Sequence, residues 1–261
     1  MLPDATRRAL GASASGTGVP IAVPESLLID VGVAKTGKYA SRESGDTVEL
    51  VERPGGGFSV VMIDGQGSGR AAKTLSLLLS SKAVALLKEG VRDGVVARAT
   101  HDYLFAFRHG QVSATLDLLS IDLETRTVVI TRNAETPMIL GNQESVSAVP
   151  SNSGPIGRYR WTKPTVTQLP MSAGLDVILG TDGIAHSGRR GVREPLDFEA
   201  FGREHFGQGR TAQDLADALL AVAIERDDGR PGDDMAVVAL SLRAGESAPS
   251  IRRVQMQVYA P

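Results

Sequence analysis

Apolar residues along this chain gather in short runs rich in Val, Ile and Leu and bounded by Gly, Pro or Asp, which is the pattern of β-strands. SLLIDVGVA, TVELVE and FSVVMI come first; a meander of VSATLDLLSIDL, TVVITRN, PMILG and SVSAVP occupies the middle. TVTQLPM, LDVILGT and MAVVALSL follow, and the alternation of IRRVQMQVYA predicts one more strand near the end. Longer stretches with helical periodicity predict helices over 71–89, 94–107 (with Asp93 as N-cap), 195–206 and 211–226. Runs of strands separated by pairs of helices, without strict strand–helix alternation, imply an α+β fold of antiparallel sheets with helices packed outside.

Composition narrows this reading. Residues 1–24 are rich in Ala, Ser, Gly, Thr and Pro, which bury little, so a loosely held tail is expected there and one folded domain over 25–261. The net charge of −2, with both signs interspersed, offers no footprint for nucleic acid or an anionic membrane. The absence of cysteine excludes thiolate metal sites and cysteine nucleophiles. No apolar run is long enough to span a membrane and the N-terminus lacks a signal-peptide core, so a cytoplasmic location is expected.

The candidate chemistry begins at the segment 57–87, where a strand runs through Asp64 into a glycine-rich turn and a helix. A dinucleotide fingerprint fails on its third glycine spacing and on the absence of a following strand-end acid; a phosphate-binding P-loop fails because alanine precedes Lys73-Thr74. Asp64 has counterparts instead. Asp182-Gly183 ends another apolar run, Asp46 precedes TVEL, and Asp233 and Asp234 precede MAVVAL. Exits and entrances of antiparallel neighbours adjoin, so all of these acids can share one edge. A hairpin turning through 53–57 centres on Gly55, nine residues from both Asp46 and Asp64. The two would face each other with Cβ atoms roughly 4.5 to 5.5 Å apart, where carboxylates repel unless a cation lies between them. A cluster of aspartates suits one or two hard divalent ions. An ordinary turn aspartate explains any single Asp-Gly, but not the whole set.

SGD, MIDGQGSGRAA, GTDG and GDDMAVVAL, in this order, resemble the metal-dependent protein phosphatases, the protein phosphatase 2C-like or PPM superfamily, and within it the bacterial SpoIIE-like branch. The resemblance covers roughly 27–242. It implies an αββα sandwich with two Mn²⁺ or Mg²⁺ ions at one edge and hydrolysis by in-line attack of a water held between them. Matched motif to motif, Asp64 would bridge both ions, the Gly65 carbonyl and Asp46 would serve one, and Asp182 and Asp233 the other. Asp234 falls beside the site. Eukaryotic relatives carry a histidine as the proposed acid where Gln66 stands here, and glutamine cannot supply a proton. The implied activity is a protein serine/threonine phosphatase acting on a phosphorylated STAS-type anti-anti-sigma regulator.

Other residues carry weaker signals. His101, His109, His186 and His205 form no ligand pair, although His186 follows the Asp182 loop. Arg42, four residues before Asp46, is a candidate phosphate fork set against an ordinary solvated arginine. Trp161, within GRYRWTKP, is read as a packing residue, with partner contact as the alternative; the basic segment 158–163 is a candidate source of docking energy. A weakly active pseudo-phosphatase serving as a regulatory binding module is the second functional reading, and a nucleotide-binding protein the third.

Overall fold

The computed structural model describes residues 26–191, 193–245 and 252–257. The tail expected over 1–24 lies outside the described residues. Among the described residues ten strands form two five-stranded sheets. The first has the order β2 (Asp46–Glu52), β3 (Phe58–Gly65), β4 (Ala114–Asp122), β5 (Thr127–Asn133), β8 (Thr165–Pro170). The second has the order β1 (Leu27–Thr36), β10 (Met235–Ala244), β9 (Asp176–Gly180), β6 (Met138–Gly141), β7 (Val146–Val149). Every neighbouring pair is antiparallel.

Alternation along the strands makes the layers. On β3, Val60 and Met62 turn toward the second sheet and join Leu119, Ile130, Val177, Leu179, Val238 and Leu240 in the central core. Val61 and Ile63 turn outward, beneath α1 (Gly69–Lys88) and α2 (Asp93–Arg108). The second sheet is covered by α4 (Phe198–His205) and α5 (Ala212–Arg226), whose Phe201, Leu215 and Leu219 pack on Ile178 and Val237. The result is the expected αββα sandwich. Leu79, Leu87 and Leu104 of the outer helices are wholly buried, and each such side chain contributes about 1.5–3 kcal/mol. Helix α5 starts in a capping box, with Thr211 and Asp214 each accepting the other's backbone N–H.

Two local expectations are corrected. The cap of α2 is Arg92, without a side-chain cap bond; Asp93 is the first helical residue, and its carboxylate is taken by the Arg53 guanidinium. Residues 252–257 form no strand. Arg252 instead bonds Glu52 and the Gly56 carbonyl at the hairpin turn, and Val254 and Met256 stay exposed, so the alternation there has no apolar surface to cover. The rest of that predicted strand lies outside the described residues.

Candidate active site

The β2–β3 hairpin turns where expected: the Arg53 amide donates to the Gly57 carbonyl, and Asp46 and Asp64 are direct cross-strand partners at the open end. Both share the inward face with Val48 and Met62. The second sheet brings Asp182, first residue of the short helix α3 (Asp182–Ala185) after β9, and Asp233, just before β10.

Two glycines allow the close approaches. A Cβ on Gly65 would sit 2.4 Å from the Ala72 carbonyl oxygen, so only glycine lets β3 end directly under α1. A Cβ on Gly183 would sit 2.0 Å from the Asp234 carbonyl oxygen, and this contact seats the Asp182 loop against Asp233-Asp234.

Asp46 is completely buried. Its Oδ2 accepts the Thr181 hydroxyl at 3.0 Å, and its Oδ1 is buried with no hydrogen-bond partner. Burial, offset in part by the Thr181 bond and reinforced by Asp234, pushes its carboxyl up to about 7. Asp64 is pushed up to about 10, first by burial and then by the charges of Asp46, Asp182 and Asp233; it also shares a hydrogen bond with Asp182. Asp182 is raised too, chiefly by burial, with His186 opposing and Asp233 adding to the shift. The four acids therefore act on one another, as their positions at strand ends predict.

Several participants were not legible in the sequence. The ammonium groups of Lys35 and Lys73 both donate to the Asp46 carbonyl oxygen, at 2.9 and 2.8 Å, and Lys73 also donates to Thr47. Burial and the neighbouring Lys73 lower the Lys35 ammonium. Lys73, considered in the sequence only as a P-loop lysine, lies in the first turns of α1, and its position relative to Asp64 was the available signal. Thr181 is read from sequence only as the end of a strand.

Asp234 is buried and spends both oxygens on backbone: Oδ1 accepts the Lys38 amide at 2.8 Å and Oδ2 the Gly45 amide at 2.7 Å. It braces the loop that carries Arg42. Arg42 itself is exposed and makes no hydrogen bond or ion pair among the described residues. Gln66 gives its side-chain carbonyl to the Ser113 amide and hydroxyl. Beside Asp233 lies a recess of about 160 Å³ lined by Gly183, His186, Arg189, Arg190 and Asp227. His101 and His205 are buried in packing positions, whereas His186 is exposed near Asp182.

In donor chemistry the site fits divalent cations. Its groups are oxygens, the buried Asp46 Oδ1 lacks a partner, and burial, reinforced by neighbouring acids, raises the carboxyls of Asp46, Asp64 and Asp182, the arrangement that a divalent cation relieves. In the arrangement seen, the acids are linked through the Asp64–Asp182 bond, and no three Asp, Glu or His side chains among the described residues converge on one point as an ion's ligands do.

Residues 54–243 match the family described as Stage II sporulation protein E (SpoIIE). The Stage II sporulation protein E of Priestia megaterium is 25% identical over 226 residues, covering 84% of this chain and 37% of that protein. This chain thus spans little more than a third of that relative's length. Among solved structures, the PP2C phosphatase domain with a regulatory fragment of SpoIIE from Bacillus subtilis aligns with a TM-score of 0.71 at 23% identity, over 83% of this chain and 64% of that one. RsbX in complex with magnesium aligns with a TM-score of 0.62 at 18% identity, over 82% and 95%. The fold is that of PP2C-type phosphatase domains, and the chain belongs to the SpoIIE family.

Proposed function

We propose that this domain is a metal-dependent protein serine/threonine phosphatase that hydrolyses phosphoserine or phosphothreonine on a partner protein. The observation that carries the reading is the cross-strand pair Asp46–Asp64, met at the same edge by Asp182 and Asp233 from the other sheet. Asp64 would serve two ions, the Gly65 carbonyl and Asp46 one of them, and Asp182 and Asp233 the other; Mg²⁺ or Mn²⁺ suits these oxygen donors. Such ions, when bound, supply charge that acidifies water and neutralises phosphoryl oxygens.

The chain's own residues do the rest. Thr181 orients the Asp46 carboxylate and leaves Oδ1 free, while Lys35 and Lys73 fix its backbone. Asp64 and Asp182, both raised chiefly by burial, take a cation as carboxylates, so cation binding competes with protonation there. Arg42, exposed on the loop braced by Asp234, is a candidate to hold phosphoryl oxygens. Gln66 offers no proton, so protonation of the leaving oxygen falls to water. No covalent phosphoenzyme is required.

Family membership supports a phosphorylated STAS-type anti-anti-sigma regulator as the partner and the cytoplasm as the location; no helix of the described residues is long and apolar enough to cross a membrane. The test is release of p-nitrophenol from p-nitrophenyl phosphate with Mn²⁺ or Mg²⁺ and with chelator. Metal-dependent turnover that Asp64→Asn abolishes supports the reading, and turnover indifferent to metal overturns it.

A further inference from the structure

Trp161 is not a packing residue: it is 81% exposed, and Tyr159 beside it 63%. The loop that carries them is held firmly. Its ends are tied by the Ser153 hydroxyl, which donates to the Lys163 carbonyl and accepts from Asn133 at 2.7 Å. Ile156 and Ala114 exchange both backbone hydrogen bonds, and the Gly157 amide donates to the buried His101 Nδ1 at 3.0 Å. Two large rings are therefore presented to water on a rigid mount.

Cations accompany each ring. The Arg158 guanidinium lies 5.8 Å from the Tyr159 ring centre and that of Arg160 lies 5.4 Å from the Trp161 ring centre. At the end of α2, Arg108 lies 4.7 Å from the ring centre of the exposed Phe107. The turn after that helix abuts the loop, since a Cβ on Gly110 would lie 3.2 Å from the Arg158 carbonyl oxygen. From Ser145 to Leu175 the sequence contains no acidic residue.

The patch also adjoins the active edge. Gly65 pairs with Ala114, and Ala114 with Ile156, so the loop's anchor lies two strand spacings, about 10 Å, from the Gly65 end of β3.

We infer that the aromatic and basic loop 153–163, with the end of α2, is the docking surface for an acidic, partly apolar segment of the phosphoprotein substrate. The inference deepens the phosphatase reading and rests on it for the word substrate. Guanidinium groups within cation–π distance of the rings offer N–H donors to carboxylates, while the rings can cover apolar side chains, the composition typical of binding hot spots. Docking there would position a phosphoryl group at the acidic edge through contacts remote from the reacting atoms. Five extended residues between the acids and the phosphoserine reach about 16 Å, more than the roughly 10 Å from the loop's anchor to the Gly65 end of β3.

Trp161 is the chain's single tryptophan, so its fluorescence reports binding at this patch directly, whether or not turnover occurs. The probes are two phosphoserine peptides carrying Asp-Glu-Leu-Glu or Asn-Gln-Leu-Gln five residues to either side, titrated at low salt into the full chain with chelator present. The acidic peptide should bind at least tenfold more tightly. The double variant Arg158→Glu, Arg160→Glu should lose that preference while p-nitrophenyl phosphate turnover with Mn²⁺ stays unchanged. Equal affinity for both peptides, or full affinity in the double variant, overturns the inference. So does tighter binding of oligothymidylate or of phosphatidylserine vesicles, which would make this a nucleic-acid or membrane surface. Absent turnover of p-nitrophenyl phosphate beside a normal fluorescence response would count against the phosphatase reading and leave the docking surface standing.

Discussion

The Thr181 hydroxyl donates to Asp46 Oδ2 at 3.0 Å and accepts the Ala236 amide at 2.9 Å, so one side chain ties the end of β9 both to β10 and to the opposite sheet. Thr181→Val keeps the shape and strands both partners in a buried position. The expected cost is about 1–3 kcal/mol in urea unfolding, with Thr181→Ser close to wild type. Equal midpoints for all three proteins would refute the bridge.

Asp46 and Asp64 make stability in chelator depend on pH. Their folded values, about 7 and about 10, lie above the ordinary 3.8, so the folded state holds protons that the unfolded state releases. Their stabilising contribution is full below pH 3.8 and is lost as pH rises, through about 7 for Asp46 and toward about 10 for Asp64. Thermal melts in chelator should therefore shift downward between about pH 5 and about pH 8, and less steeply in Asp64→Asn. At the higher pH, Mn²⁺ should raise the melting temperature of the wild type and not of the variant. A wild-type profile that is flat or rises over this range contradicts the account.

Gly183→Ala places a methyl group 2.0 Å from the Asp234 carbonyl oxygen, whereas a Cβ on Gly154 meets nothing within 4 Å. The first substitution should cost about 1–3 kcal/mol or more and reduce turnover by displacing Asp182 from Asp233. The second should leave both unchanged. Comparable behaviour of the two variants in melting and in p-nitrophenyl phosphate assays would show that the close approach is not required.

Beneath the active edge, Asp117 lies across from Met62, the next inward-facing residue of β3 after Asp64. It accepts from Arg132 Nε at 2.8 Å, and both residues are buried. Arg132 Nη2 donates to the Thr136 carbonyl, and Nη1 has no partner. Asp117→Ala leaves a buried guanidinium without its counter-charge and should cost about 3–5 kcal/mol, whereas the double change Asp117→Leu, Arg132→Met should cost much less. Chemical denaturation of the two variants measures the difference directly.

The strands and the acids at their ends are written in local sequence, whereas the two-sheet sandwich was implied by the family resemblance. Apolar alternation marks the strands, and the hairpin register follows from counting outward from Gly55, which is why arithmetic alone pairs Asp46 with Asp64. The alternation of IRRVQMQVYA obeys the same rule and misleads at 252–257, because a strand also needs an apolar surface to cover, which local pattern does not report.

What the sequence by itself determined is therefore the ten strands up to Ala244, the pairing of the hairpin that joins Asp46 to Asp64, and the residue types at the strand ends. The meeting of Thr181 with Asp46, of Lys35 and Lys73 with one carbonyl, and of both Asp234 oxygens with the loop 38–45 joins positions as far apart as 196 residues. The exposure of Trp161 belongs with these. An aromatic residue among basic neighbours satisfies equally well a core or a surface, and the choice was made by where Ile156 and Gly157 are pinned. Only the packing of the two sheets brings such partners together, since contact at that range is decided by the sum of all buried surfaces and not by any local preference.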